Sequence, residues 1–321
     1  MKPRGKMKSS FGSRIEAMME HKEALGFSAS SYACLRGFDD YCQARFPDET
    51  NLTEELVLSW ARKRENETVN TLNRRLAAMR EFARYLISTG DQAYIYPQKM
   101  SPSPTRHIPH IFTDSELSKF FRSADSLSGI PGDALYQYVV PVMFRVIYCC
   151  GLRPAEGRLI KTRDMNLDTG KLHIRESKRH KDRAVMLSDD VRGLCNAYSV
   201  ILKRTVRESD YFFPDRHGRP HGMDWLARQF RKCWNLSGMP PLCGSKPRTY
   251  DFRHTFATRW LQDCLDRNDD LHNMLPYLSA YMGHSSFSST FYYIHLIPDR
   301  LKASPAIDWQ MLSSLIPEVP L

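Results

Sequence analysis

Residues Tyr281 to His295 read YMGHSSFSSTFYYIH. A Gly-His turn, a run of small polar residues and two adjacent tyrosines, Tyr292 and Tyr293, follow one another there. Such a stretch makes a poor core helix, but it can carry one phenol up to a basic cluster. Neighbouring side chains on a helix point about 100° apart, so only one of the two tyrosines can face that cluster. The basic groups themselves must come from elsewhere in the chain.

Just upstream, Arg248 to Thr258 reads RTYDFRHTFAT. On a helix Phe252, Phe256 and Trp260 line one side at i, i+4 and i+8, while Tyr250, Arg253 and His254 gather away from them. The three-residue step from Tyr250 to Arg253 puts both groups on one face, where they can clamp one anion. Further back, Lys171 to Leu187 alternates like a hairpin, with Leu172 and Ile174 on one strand and Val185 and Leu187 on the other. Its turn, SKRHKD, carries Lys178, Arg179 and Lys181, which either project against a phosphate or simply solubilise the tip. Before it, Asp133 to Cys150 reads as an apolar helix running into Gly151-Leu152-Arg153-Pro154-Ala155-Glu156. Glycine suits a left-handed helix end and proline the first turn of the next helix, so Arg153 is held at a tight junction. A guanidinium there needs an anion, and either Glu156 or a substrate phosphate can supply it.

The first hundred residues have a different character. Between Phe11 and Ser88 apolar residues recur at helical spacing and strand signals are scarce, which predicts a bundle of about four helices. Val69, Leu72, Leu76, Met79, Phe82 and Leu86 form the last apolar stripe, and the opposite face carries Asn73, Arg74, Arg80 and Arg84. These side chains can reach phosphates and base edges in a DNA groove, or stand as a solvated face. Residues 97–110 hold four prolines among Ser, Lys, Arg and His and read as a linker. Thr113 and Glu116 then fit a capping box, with Phe112 and Leu117 as its hydrophobic staple, so a new unit starts there. The expected division is a helical domain over 1–96, a linker over 97–110 and a second domain over 111–321. Near the carboxyl end Ile307, Met311 and Leu315 make a short apolar stripe that packs either on its own domain or on a neighbouring copy.

The 321 residues and a hydrophobic fraction of 42% suffice for two cores. A net charge of +10 points to a polyanionic partner, with nucleic acid ahead of an anionic membrane. No run approaches the roughly 18 apolar residues a spanning helix needs. Met1 to Ser10 is basic without a following apolar segment, so a soluble, cytoplasmic chain is expected, associated with the nucleoid when bound to DNA. The eight cysteines show no C-x-x-C pair and no histidine at metal-ligand spacing, so buried free thiols and no metal are expected. The absence of a G-x-x-x-x-G-K-[ST] loop gives no support for nucleotide-driven chemistry.

Taken together, GLRPAE, SKRHKDRAVML, YDFRHTFAT and GHSSFSSTFYY, in this order after a helical segment, resemble the tyrosine recombinase (phage integrase) family. The likeness covers Phe112 to His295, and the amino-terminal helices resemble the family's core-binding, SAM-like domain in pattern. The resemblance implies a mainly α fold with a small antiparallel β-sheet, a helical core-binding domain preceding an α/β catalytic domain. It implies Arg153 and Arg253 as the two catalytic arginines, Glu156 as the supporting acid, Lys178 as the hairpin lysine and His284 as the later histidine. Tyr293, nine residues after His284, takes the nucleophile's place. Tyr250 stands where the family's His-x-x-Arg begins with histidine; a phenol can donate to a phosphoryl oxygen but carries no positive charge at neutral pH.

What the resemblance implies about activity is a site-specific recombinase or integrase of a mobile element. Such an enzyme acts on double-stranded DNA through a 3′-phosphotyrosyl intermediate, as four copies on two sites, without a cofactor and with room for an accessory directionality factor. Two arginines compensate the charge of a five-coordinate transition state, Lys178 protonates the leaving 5′ oxygen, and His284 donates to phosphate or assists proton movement. A type IB topoisomerase-like nicking and closing enzyme, or a disabled DNA-binding protein on the same scaffold, shares these sequence features.

Overall fold

Thr53 and Thr68 each stand just ahead of an apolar run, and each caps a helix through its side-chain oxygen. The computed structural model describes residues 7–27, 29–104, 108–175, 182–206, 208–239, 246–284, 286 and 288–294. It divides into two units, Met1–His107 and Ile108–Leu321. In the first, α1 (Gly12–Ala24), α2 (Cys34–Arg45), α3 (Glu54–Ala61) and α4 (Val69–Ser88) surround Phe11, Phe38, Trp60 and Phe82. Phe38 meets Phe11 at 5.8 Å and the edge of Trp60 at 5.4 Å between ring centroids.

The stripe of α4 is buried from Leu72 to Leu86, as its spacing requires. Its other face is not uniform. Arg74 and Arg84 are exposed, and Arg84 pairs with Glu81 at 2.6 Å. Asn73 instead donates to the Pro102 carbonyl at 2.8 Å, and Arg80, only 9% exposed, donates to Ser101 at 3.0 Å. The four residues expected to share one surface therefore occupy two environments. Arg75, which no sequence pattern singles out, is buried and forks onto Glu67 at 2.9 and 2.8 Å while donating to the carbonyls of Trp60 and Arg62. It ties the start of α4 to the end of α3.

The first helix of the second unit opens on the expected capping box: Thr113 and Glu116 each accept the other's backbone amide. Phe112 and Leu117 are both buried in the same cluster. α5 (Asp114–Asp125) packs on α6 (Tyr136–Cys149) and α9 (Met223–Leu236), and α6 packs on α8 (Asp189–Thr205) and α10 (Asp251–Asp266). Phe112, Phe120, Phe144, Phe230 and Phe252 form the aromatic centre. α6 starts three residues later than the apolar run suggested: Asp133 lies in the turn before it, where its side chain accepts the Tyr136 amide at 3.1 Å. α9 lies outside every quoted motif, yet it supplies Leu226, Phe230 and Cys233 to this core.

Strands β1 (Met165–Asn166), β2 (Lys171–Ile174) and β3 (Arg183–Met186) form an antiparallel sheet in that order. Leu172 faces Val185 across the expected hairpin, and Leu172, Ile174, Val185 and Leu187 are all buried. The turn residues Lys178, Arg179 and Lys181 lie outside the described residues, as do Ile307, Met311 and Leu315. The aromatic stretch Tyr211 to Phe213, strand-like in composition, makes only an isolated bridge from Tyr211 to Lys161. Pro214 has no amide to extend the pairing, and Phe212 and Phe213 are held by Tyr198 at 5.3 and 5.4 Å.

α10 lies between two cores. Phe252 joins the large cluster, while Ala257, Leu261 and Cys264 join a second one with α11 (Leu271–Met282) and α12 (Ser288–Ile294). The expected stripe is thus not its buried side, since Phe256 and Trp260 are only half-buried and Arg253 is 0% exposed. α12 also corrects an expectation: far from being unfit for a core, it buries Phe291, Tyr293 and Ile294. Among the described residues no helix is long and apolar enough to cross a membrane.

Gly151 joins α6 to α7 (Pro154–Arg158) with φ +56°, and a Cβ there would lie 2.5 Å from the Phe256 ring. Gly151→Ala combines a left-handed penalty of about 1–2 kcal/mol with overpacking of about 1–3 kcal/mol, and should lower the urea midpoint accordingly. Gly193→Ala, in open space on α8, should instead stabilise by up to about 1 kcal/mol. Equal midpoints for the two variants would show that Gly151 is not needed for this junction.

Candidate active site

An α-helix leaves its last carbonyls without backbone donors, and α11 shows how this chain uses them. Gly283 ends the helix in the left-handed conformation, φ 63° and ψ 48°, and the amides of Gly283 and His284 turn back to Ala280 and Ser279. The carbonyls of Tyr281, Met282 and Gly283 each accept from a different arginine. Arg183 Nε reaches Tyr281 at 2.8 Å, Arg253 Nη2 reaches Met282 at 2.5 Å, and Arg153 Nη2 reaches Gly283 at 2.7 Å. The three come from β3, α10 and the α6–α7 junction. Positive charge at a helix carboxyl end is also favoured by the helix dipole.

Arg153 is the residue before α7, as its flanking glycine and proline imply. Of its two anticipated anions, Glu156 is engaged: Oε1 accepts Arg153 Nη1 at 2.6 Å and Oε2 accepts the Arg153 amide at 2.8 Å. Glu156 also receives Arg183, Nη1 to Oε1 at 2.9 Å and Nη2 to Oε2 at 2.7 Å. The sequence reading passes over Arg183, although strand alternation marks it. Arg183 shares a face with Val185 and Leu187, and it pairs directly with buried Ile174.

Arg253, wholly buried, also donates Nη1 to Gly151 at 2.7 Å. Its Nε–H has no hydrogen-bond partner among the described residues. Burial pulls its pKa down, a sign of charge held with little solvent. Tyr250, at the start of α10, lies close enough to influence both Arg253 and Tyr293, and its ring stands 5.1 Å from His254.

Tyr293 is 3% exposed, its ring nearly parallel to His284 at 5.8 Å and 5.5 Å from His254. Burial pushes its phenol up to about 12, against the pull of the Arg253 charge beside it. Tyr292 is only half-buried, its ring 6.1 Å from His254. His284 Nδ1 is 2.8 Å from the hydroxyl of Thr290, a buried α12 residue the sequence reading did not single out. Burial first, then Arg253, Arg153 and Arg183, push the His284 pKa down to about 3. Arg153, Glu156, Tyr250, Arg253, His284 and Tyr293 are thus brought together; Lys178, Arg179 and Lys181 lie outside the described residues. Beside Arg153 and Glu156 opens a pocket of about 440 Å³ lined by Lys161, Arg163, His173 and Arg175 among others.

The neutral His284 has a thermodynamic consequence. An unfolded histidine takes its proton near 6.5, the folded one only near 3, so between those values the unfolded chain binds more protons. Stability therefore falls as pH drops through that window, by up to about 1.4 kcal/mol per unit for one such group, and is untouched above it. Between pH 7 and 5 the urea midpoint of His284→Asn should fall less than that of the parent chain; parallel curves would mean that His284 is not held neutral.

With this geometry established, comparisons with known proteins identify the family. The Sinorhizobium fredii protein y4rB is 26% identical over 304 residues, covering 92% of this chain and 95% of that protein. Tyrosine recombinase XerC of Chlamydia caviae is 28% identical over 236 residues, 72% of this chain and 69% of that protein. Among solved structures, the XerH site-specific recombinase bound to a palindromic difH substrate, a post-cleavage complex, has a TM-score of 0.65 at 23% identity, covering 94% of this chain and 85% of that one. A lambda integrase tetramer bound to a Holliday junction has a TM-score of 0.64 at 14% identity, covering 92% of this chain and 79% of that one. At such identities the two structures show a shared fold. The family model decides membership, for it matches residues 111–300, more than half of the sequence: the chain belongs to the phage integrase family.

Proposed function

We propose that this chain is a site-specific DNA recombinase, an integrase of a mobile element, that cuts and rejoins double-stranded DNA through Tyr293. The observation that carries the reading is the meeting of the Arg153 and Arg253 guanidiniums on neighbouring carbonyls of α11, next to the buried Tyr293 phenol. A DNA phosphate entering there meets two planar cations, and Arg253 brings a buried N–H with no hydrogen-bond partner among the described residues.

In the proposed reaction Tyr293 Oη attacks phosphorus, the P–O5′ bond breaks, and a 3′-phosphotyrosyl ester and a free 5′ hydroxyl result. An incoming 5′ hydroxyl reverses the exchange and releases the phenol, so the bond energy is kept in the ester. Lys178 is the proposed donor of the proton that the 5′ oxygen takes. The raised Tyr293 pKa means that the phenol carries its proton at neutral pH, so that proton leaves to solvent as Oη attacks phosphorus, and solvent returns one to Lys178. If the Thr290 hydroxyl donates to Nδ1 of the neutral His284, Nε2 carries the proton and can donate to a phosphoryl oxygen. Tyr250 is the proposed further donor, and Glu156 the acid that supports Arg153.

The net charge of +10 favours DNA as the partner. Arg74 and Arg84, exposed on α4, are the proposed backbone contacts of the first unit, with Asn73 and Arg80 steadying the 101–102 segment behind them. Arg179 and Lys181 are proposed DNA contacts of the hairpin turn. The lambda integrase tetramer on a Holliday junction supports a proposal of four copies; their assembly on two DNA sites, the 304–321 tail as the segment that docks between copies and an accessory directionality factor are further parts of the proposal.

Nicked duplexes cut from the DNA flanking the gene test this directly. One of them should yield a covalent complex that survives denaturant, persists in Tyr292→Phe and is lost in Tyr293→Phe. Retention in Tyr293→Phe would refute the assignment of the nucleophile. Arg253→Lys, which cannot reproduce a planar fork on two carbonyls and a phosphate, should slow the step by roughly 100-fold or more. The same complex should form at an undiminished rate in EDTA, and abolition by the chelator would point to a metal-dependent nuclease instead. Recombination between two sites, as opposed to relaxation of one plasmid, then separates an integrase from a topoisomerase-like enzyme.

A further inference from the structure

We infer that Arg183 is a positioning residue for the proposed phosphoryl transfer, holding Glu156 so that the charge of Arg153 stays available to a phosphate. The inference rests on the proposed reaction at Tyr293. Arg183 grips both Glu156 oxygens, at 2.9 and 2.7 Å, while its Nε holds the Tyr281 carbonyl two residues before Gly283, the partner of Arg153. Arg183 and Glu156 are both nearly buried, their side chains 8% and 7% exposed, so little water competes for either.

Charge decides what this arrangement does. Arg153 and Glu156 alone form a neutral pair, which attracts a phosphate weakly. With Arg183 opposite the same carboxylate the group of three carries one net positive charge, and Glu156, which accepts the Arg153 guanidinium and amide, is fixed from a second side as well. Arg183 also joins β3 to the end of α11, where His284 follows Gly283, so one side chain fixes two parts of the site. A lysine keeps the charge but has no fork to span two carboxylate oxygens and a carbonyl.

The test uses nicked duplexes carrying either a phosphodiester or a neutral methylphosphonate at the scissile position. Removal of a group that orients a metal ligand commonly costs about 10- to 100-fold, and by analogy Arg183→Met should form the covalent complex that much more slowly on the phosphodiester at saturating protein. On the methylphosphonate, which has lost the charge Arg153 balances, the same variant should stay within about five-fold of the parent chain, a bound that lies below the weakest loss expected on the phosphodiester. Arg183→Lys should fall between the two on the phosphodiester. An unchanged phosphodiester rate, or equal losses on both substrates, overturns the inference, the second because it marks a merely structural side chain.

Should the parent chain cleave no duplex, the proposed reaction fails, and Arg183 is then judged by calorimetry with sodium tungstate on the full chain. Binding that weakens about ten-fold or more in Arg183→Met upholds its role at an oxyanion site. Equal affinity, or no binding by the parent, overturns it.

Discussion

Three successive carbonyls at the end of one helix, left without donors by the geometry of the α-helix, organise this site. Tyr281, Met282 and Gly283 offer them in sequence, and arginines from β3, from α10 and from the α6–α7 junction each take one. Buried carbonyls of this kind are costly when unpaired, so the fold and the site satisfy each other. The same turn, left-handed at Gly283, sets where His284 lies, and α12 then brings Tyr293 alongside.

Electrostatics follow from that gathering. Glu156 bridges two of the arginines, while Arg253 sits wholly buried on backbone carbonyls with its Nε–H bonded to nothing among the described residues. Burial first, and this gathering of positive charge second, hold His284 neutral, and the Arg253 charge tempers the rise that burial causes in the Tyr293 pKa. The buried Arg253 Nε–H is the group there that an oxyanion could engage.

Much of this was legible in the sequence wherever local chemistry decides. Gly151 and Pro154 mark the Arg153 junction, Thr113 and Glu116 announce a helix start, and alternation reveals the hairpin. Tertiary placement was less legible. Arg183 reads as one more cation after a basic turn until its strand face and its neighbour Ile174 are considered. The Phe252, Phe256 and Trp260 stripe misled because α10 has a core on both sides, so its deepest residue is Arg253. Arg80 and Asn73 looked like surface groups because the partner segment at residues 101–102 is distant in sequence. Residues 211–213 have strand composition but a proline follows them at once.

The most direct measurement is a crystal structure of the chain soaked with orthovanadate, which adopts five-coordinate geometry like that of a phosphoryl group under attack. The predicted result is vanadium bonded to Tyr293 Oη at an apex, with its equatorial oxygens accepting from Arg153 and Arg253. Vanadium on Tyr292, or bound away from both arginines, would contradict the site described here.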